Sequence, residues 1–467
     1  MINSIVWFRN DLRISDNAVI NYCLENKRKI LPVYIFDSPS SLGSASKWWL
    51  KNSLLSLDKS LKGNMMVFEG EPTKILLDLV SKYDIKEIIW NERYSKDDIN
   101  QDNEVINIVK NHGVSCVTFH SCLLKNPHNT LKKDATPFKV YTPFYKQQYQ
   151  GMTYELFEYD TEEIDYIDCG SREQMKSVLE TAIKSEKWHQ KLLDNWVPGE
   201  VGAQDKLEAF LLNGLKGYSE GRNRPDKQHT SMLSPHIRFG EISIREIANS
   251  VEHKNTEDAE IFYKELVWRE FSYHLLYHFP HVVDTNLQQK FDNFKWLDNM
   301  DHLKSWQNGV TGYPLIDAGM RQLYETGYMH NRVRMIVGSF LVKNLMLHWS
   351  HGQEWFWDTL VDADIASNSA SWQWVAGTGA DAAPYFRIFN PVTQSKKFDP
   401  DGEYIRKYVH ELKNIPSKII HMPSDYDEET LKANGLILGK DYPFPIVDLS
   451  TTRDRALRAF KELSSEK

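Results

Sequence analysis

Several features are scarce in this 467-residue chain, and each absence narrows what it can be. There are only four cysteines, Cys23, Cys116, Cys122 and Cys169, with no CxxC and no histidine at metal-ligand spacing. A disulfide framework and a zinc site therefore find no support, and buried thiols in a reducing compartment are expected. No run of about 18 apolar residues occurs, and the opening MINSIVWFRNDLR lacks the apolar core of a secretion signal. Neither a membrane span nor export is expected, and the chain reads as cytoplasmic. No GxGxxG follows the first apolar run, so the ordinary dinucleotide fingerprint is missing. Excess positive charge is missing too. A net charge of −8 argues against a protein coated in nucleic acid, while leaving room for a local basic groove.

What is present is an ordinary globular composition, 41% hydrophobic and 26% charged. The length suggests two or three domains at roughly 150 residues each. Tryptophan is the outlier: there are fourteen, and Trp268, Trp296, Trp306, Trp349, Trp355, Trp357, Trp372 and Trp374 all follow Lys264. Core filling would account for them, and so would stacking or electron transfer. Over residues 1–125, short apolar runs at Ile5–Phe8, Ile30–Phe36, Met65–Glu69, Glu87–Trp90 and Cys116–Phe119 alternate with helical patterns. That rhythm predicts a parallel sheet covered on both faces. Residues 126–198 are acidic and aperiodic, with Glu155, Glu158, Asp160, Glu162, Glu163, Asp165 and Asp168, and read as a solvated linker. From 199 to 467 only helical patterns remain, among them Ser243–Val251, Glu257–His278, Arg332–Trp349 and Thr452–Leu463. Ser243 with Glu246 predicts a capping box.

Four stretches carry chemistry. In GYSEGRNRPDKQHTSMLSPHIRFGEIS (217–243), Thr230, Ser231 and Ser234 precede a helix and would suit a diphosphate, although such residues are more often simple caps. Arg222, Arg224, Lys227, His236 and Arg238 make this a basic patch in an acidic chain. In ELVWREFSYHLLYH (265–278), Glu265, Trp268 and Arg269 share one helix face. They offer a carbonyl partner, a stacking plate and a phosphate partner, or else merely an exposed Glu–Arg pair. In TGYPLIDAGMRQLYETGYMHNRVRM (311–335), Asn331 and Met335 lie one turn apart around Arg332 and Arg334, with Asp362 or Asp364 as a partner for Arg334. In DADIASNSASWQWVAGTGADAAPYFRIFN (362–390), Asp364, Asn368 and Trp372 align along one face. A carboxylate, an amide and an indole suit a redox-active ring, or a core helix that happens to hold tryptophans. Asp362 and Asp364 also form a DxD, but no further ligand cluster accompanies it and no catalytic metal is expected.

The segments VWFRNDLRISDN (6–17), GRNRP (221–225), TSMLSPHIRFGEIS (230–243), ELVWREF (265–271), TGYPLIDAGMRQL (311–323) and WQWVAGTGADAAPYFRIFNP (372–391) resemble the photolyase/cryptochrome family, in order along the chain. The resemblance implies an N-terminal parallel, Rossmann-like α/β antenna domain over 1–125. A long linker over 126–198 would join it to an all-helical FAD-binding catalytic domain over 199–467. It implies FAD contacts from Tyr218, Thr230, Ser231, Met232, Leu233, Ser234, Phe262, Arg334, Asp362, Asp364 and Asn368. Met232 and Phe262 stand where some relatives carry Arg and Trp. Asn368 would face the flavin N5 and suit a reduced, anionic flavin. Trp372, Trp349 and Trp296 match the family's electron relay.

Glu265, Trp268, Asn331 and Met335 resemble the substrate face of class I cyclobutane pyrimidine dimer photolyases. Six-four photolyases carry histidine at the positions of Asn331 and Met335. Arg222, Glu265, Trp268, Arg269, Asn331, Arg332 and Gln394, with Lys396 and Lys397, would contact UV-damaged DNA. The implied activity is light-driven splitting of the dimer by a monomeric enzyme. The alternative is a blue-light receptor that signals through a protein partner. Asp97 and Asp98 replace the Asn-Glu pair of folate-binding relatives. A folate, deazaflavin or flavin antenna, or none, therefore stays open.

Overall fold

The computed structural model describes residues 2–37, 42–169, 172–183, 188, 190–252, 254, 256–382, 384–385 and 387–465. Ala383 and Phe386 of the last family motif, and several positions between 170 and 189, lie outside the described residues. The chain divides into two compact units. One comprises Met1–Leu215 and Ser231–Pro280, and the other Lys216–Thr230 and His281–Lys467.

In the first unit the alternating pattern builds β1 (Ile2–Phe8), α1 (Ala18–Glu25), β2 (Arg28–Phe36), α2 (Ser44–Ser60), β3 (Met66–Glu69), α3 (Pro72–Tyr83), β4 (Glu87–Asn91), α4 (Lys96–Lys110) and β5 (Ser115–Phe119). The strands pair in parallel in the order β3-β2-β1-β4-β5. Their continuous apolar runs are explained by burial on both faces, with Ile5, Trp7, Leu31, Val33, Ile88 and Trp90 in one core cluster with Leu76 and Val105 of the helices. Helix starts follow local chemistry. Asn17, Glu71 and Ser95 each cap a helix through a side-chain oxygen, and Pro72 opens α3.

The acidic stretch is more than a solvated connection. Its helix α5 (Tyr141–Gln148) buries Tyr141, Phe144 and Tyr145. Two of its acidic-region residues form β6 (Asp165–Tyr166), which pairs with Lys29 and Ile30 of β2, just before β3 takes over that edge at Val33. A further helix, α6, spans Arg172–Ala182. Composition hides these elements because their charges face solvent while a few apolar residues anchor them.

Segments distant in sequence also close the first unit. Leu12 N–H donates to the Phe239 carbonyl (3.0 Å), Arg13 to the Gly240 carbonyl (3.0 Å) and the Trp49 indole to Glu241 (2.8 Å). Gly240 has φ +67°, and a Cβ there would lie 2.1 Å from the Asn10 carbonyl, so only glycine fits. The predicted capping box does not form. The Ser243 hydroxyl donates to Asp16, and the Glu246 carboxylate accepts from Gln204 instead.

The second unit is helical around one large core. Trp306, Tyr313, Ile316, Val337, Phe340, Trp349 and Ile405 belong to it. The helix expected over Arg332–Trp349 is broken. Asn331–Ser339 passes into a π turn, Phe340–Asn344, and a new helix starts at Trp349. Met346 takes a left-handed backbone in the gap. Residues apolar on every side give a continuous helical pattern and carry no mark of such a break. Among the described residues no helix is long and apolar enough to cross a membrane.

Candidate active site

In the first unit, the helix Glu257–His278 carries Glu265, Trp268 and Arg269. Its start is capped by Thr256, whose hydroxyl accepts from Ala259 N–H (3.2 Å), and Glu257, Asp258 and Glu260 complement the first-turn dipole. All three site residues are half-buried. Trp268 lies flat on Tyr141, with ring centroids 3.7 Å apart and planes at 4°. Arg269 donates to the Cys122 carbonyl (3.1 Å), sits 3.4 Å from Glu270 and covers the Tyr273 ring. The protein itself thus holds this guanidinium.

Glu270 locks the helix to the loop after β5. Its carboxylate accepts from Leu124 N–H (2.9 Å) and Lys125 N–H (3.3 Å). Burial pushes its pKa from the ordinary 4.5 up to about 7, although Arg269 and these amides pull it down. The folded state therefore holds the proton more tightly than the unfolded chain. The stability that this group contributes falls as pH rises from about 4.5 to about 7 and is flat above that. Glu270→Gln is expected to gain about 2–3 kcal/mol over the natural protein between about pH 5 and about pH 8. Urea midpoints at the two pH values read this, and parallel pH profiles for the two proteins would contradict it.

The same unit holds Ser231, Met232, Leu233 and Ser234. Met232 has φ +56°, and Leu233 follows in right-handed conformation. The turn is braced locally, with the Leu233 N–H donating to the Ser231 hydroxyl at 3.3 Å. The helix that follows, Ser234–Phe239, has Pro235 in its first turn. Phe262 is buried against Phe210, 4.5 Å between rings.

In the second unit, Tyr218 is buried beneath the Arg222 guanidinium. Arg332 bonds to Asn223 and covers Phe398 at 4.6 Å. Its other arm reaches Met335 sulfur at 3.6 Å. Asn331 is exposed and Met335 half-buried. Gln394, Lys396 and Lys397 share the short helix Pro391–Phe398, and Lys397 also lies over Phe398. Arg332 and Lys397 thus share the Phe398 ring. Arg334 pairs with Asp362 (2.9 Å) and donates to the Met329 carbonyl (2.7 Å), which settles its alternative partners. Asp364 is instead the cap of helix Ile365–Ala376, accepting from Ser367 N–H at 2.8 Å.

On that helix Asn368 donates its amide nitrogen to the Gln353 carbonyl (3.0 Å). Only a donor satisfies that carbonyl, so the amide orientation is fixed and its oxygen is the atom left to accept. Trp372, one turn on, packs against Phe356 (5.0 Å) and Trp306 (6.2 Å). A Cβ at Gly352 would come within 2.1 Å of the Trp372 ring, so this glycine makes the seat of the indole. Trp349 is fully buried and donates to Asn286 (3.0 Å). His348 lies between Trp349 (5.2 Å) and half-buried Trp296 (5.3 Å). Burial, with His351 adding to it, lowers the His348 pKa from 6.5, which keeps it neutral near pH 7. The three tryptophans therefore run from buried to half-exposed.

Each unit by itself holds residues whose chemistry fits part of a flavin dinucleotide. In the first, the Ser231 and Ser234 hydroxyls suit a diphosphate; in the second, the Arg334–Asp362 pair supplies polar groups and the Asn368 oxygen suits a ring N–H. Sequence reading missed Tyr141, Gln353, Asn286 and His348. Each acts through a neighbour distant in sequence, apart from His348, whose place beside Trp349 was the only signal.

Comparison with known proteins agrees along the chain. Residues 4–162 match the DNA photolyase family model and residues 262–462 the FAD binding domain of DNA photolyase. The deoxyribodipyrimidine photo-lyase of Agrobacterium fabrum is 43% identical, over 98% of this chain and 97% of that protein. The crystal structure of a bacterial class III photolyase from Agrobacterium tumefaciens superposes with TM-score 0.95 at 42% identity, covering 99% of this chain and 98% of that one. An archaeal photolyase from Sulfolobus tokodaii, solved with two FAD molecules, gives 0.82 at 31% identity, covering 99% of this chain and all of that one.

Proposed function

The chain belongs to the DNA photolyase family, and from that premise we propose that it repairs cyclobutane pyrimidine dimers in UV-damaged DNA under light. The sequence resemblance pointed to the class I branch, whereas the likeness to a class III photolyase now favours class III. The observation that carries the repair reading is the half-buried Glu265–Trp268 face. A carboxyl and a flat indole one turn apart suit a distorted, poorly stacked base pair drawn from the duplex.

Reduced FAD, when bound and excited by light, supplies the electron that opens the dimer and takes it back afterwards. The chain's own residues bind, orient and relay. Ser231–Ser234 with Tyr218, Thr230, Phe262, Arg334, Asp362 and Asp364 would hold the dinucleotide, and Asn368 would accept from the ring N–H. Trp268 would stack on the dimer's apolar edge, with Met335 as a second apolar contact. Glu265 and Asn331 would hydrogen-bond its carbonyls and stabilise charge arising there. Arg222, Arg332, Gln394, Lys396 and Lys397 would meet phosphates and make binding salt-dependent. Arg269, braced by the Cys122 carbonyl and Glu270 through one guanidinium nitrogen, would also meet a phosphate. Trp296, Trp349 and Trp372 would bring electrons inward. The proposal includes a cytoplasmic monomer and a second, light-harvesting chromophore of a class not specified.

Glu265→Gln is expected to lower the repair rate under limiting light about tenfold, the worth of one hydrogen bond to a charged group, with flavin content unchanged. Oligonucleotides with one dimer, assayed by dimer loss, provide the measurement. If the flavin-loaded protein held damaged DNA no more tightly than undamaged DNA in the dark, repair would give way to the receptor reading.

A further inference from the structure

We propose that Tyr141, in the segment between β5 and the helices, is a positioning residue that sets the plane of Trp268 for the damaged base. The inference rests on the reading of Trp268 as part of the dimer-binding face.

The geometry is specific. The two rings are 3.7 Å apart and within 4° of parallel. Aromatic pairs prefer offset or edge-on arrangements, so a pair held face to face needs external support. Two supports are present. The Tyr141 hydroxyl donates to the Lys264 carbonyl at 2.7 Å, one turn before Trp268 on the same helix. Phe271 turns its edge to both rings, 6.0 Å from Tyr141 and 5.8 Å from Trp268, each at 76°. One turn along α5, Tyr145 reaches Glu260 and lies under Lys264. Tyr141 and Tyr145 thus track Glu260, Lys264 and Trp268, which are spaced four apart on the long helix.

Tyr141 is buried, while Trp268 is half-buried. One face of the indole is covered by its partner, and the accessible part belongs to a rigid two-ring block. A plate fixed before binding loses little rotamer freedom when a base stacks on it. A lone half-exposed tryptophan would have to give up that freedom.

The test uses the full-length, flavin-loaded protein and matched oligonucleotides with and without one dimer. Tyr141→Leu is expected to weaken binding of the damaged strand about fivefold to tenfold, the scale of an aromatic pair, leaving undamaged DNA unaffected. KM for the dimer rises while the yield per photon at saturating DNA stays the same. Tyr141→Phe, which keeps the ring, retains most of the preference, and Tyr141→Trp restores it. Should the leucine variant not fold, Tyr141→His with its smaller ring serves instead, with an intermediate loss expected. Trp268→Ala separates the two claims. If it leaves the preference intact, the assignment of the dimer-binding face falls. If it removes the preference while the folded leucine or histidine variant binds like the natural protein, only the role of Tyr141 falls.

Discussion

Trp372→Phe is expected to abolish light-driven reduction of the oxidised flavin while the protein keeps its fold and its cofactor. Phenylalanine retains the flat ring but cannot give up an electron at potentials open to indole. Trp372, the proposed relay member on the helix of Asn368, is seated on Gly352 and flanked by Phe356 and Trp306. A phenyl ring keeps much of that packing, so the stability cost is about 1–2 kcal/mol rather than collapse. Trp349→Phe would also stop the relay, but it strips Asn286 of its indole donor as well and is the less clean variant. Flavin absorbance during blue illumination with an external thiol reads the result. Reduction at the natural rate in Trp372→Phe would remove this tryptophan from the path. Chemically prereduced Trp372→Phe should still repair dimers, which distinguishes the relay from repair itself.

The largest stability effect is expected at Asp317, a residue outside any proposed catalysis. Its buried carboxylate accepts from Thr311 N–H (2.7 Å), the Thr311 hydroxyl (2.6 Å), Gly312 N–H (3.1 Å) and the Tyr442 hydroxyl (2.5 Å). It ties the turn before helix Pro314–Thr326 to a segment more than a hundred residues later. Asp317→Ala leaves four donors without an acceptor in the core and should cost about 3–5 kcal/mol. Asp317→Asn keeps one oxygen and should cost about half as much. Denaturant midpoints followed by tryptophan fluorescence measure both, and a change in Asp317→Ala below about 1 kcal/mol would show that the knot is solvated or redundant.

The strands and the first four helices were legible because each is a short periodic run bounded by a cap or turn. Asn17, Glu71 and Ser95 sit where those helices begin. The elements hidden in the acidic stretch were not legible, because β6 is two residues long and exists only by virtue of the free edge of β2. The break at Phe340–Asn344 was hidden for the opposite reason. Its residues are buried on every side, and a π turn leaves no periodic mark. There the buried Lys343 donates to the Arg387 carbonyl (2.9 Å), a tertiary bond no local pattern announces. In the site, helical spacing placed Glu265 with Trp268 and Asn368 with Trp372. Their supports, Tyr141 and Gln353, belong to other helices and carry no spacing signal.

The bonds from Leu12, Arg13, Asp16 and Trp49 to residues 239–243 set an order of events at the ribosome. The sheet strands are all synthesised by Phe119, apart from the short β6, yet these partners emerge more than a hundred residues later. Until then the nascent α/β unit carries open donors and acceptors and an unfinished apolar surface. At synthesis rates of about 5–20 residues per second, that interval lasts on the order of ten seconds. The unit still lacking these late partners is thus the stage at which a chaperone would have the most to hold.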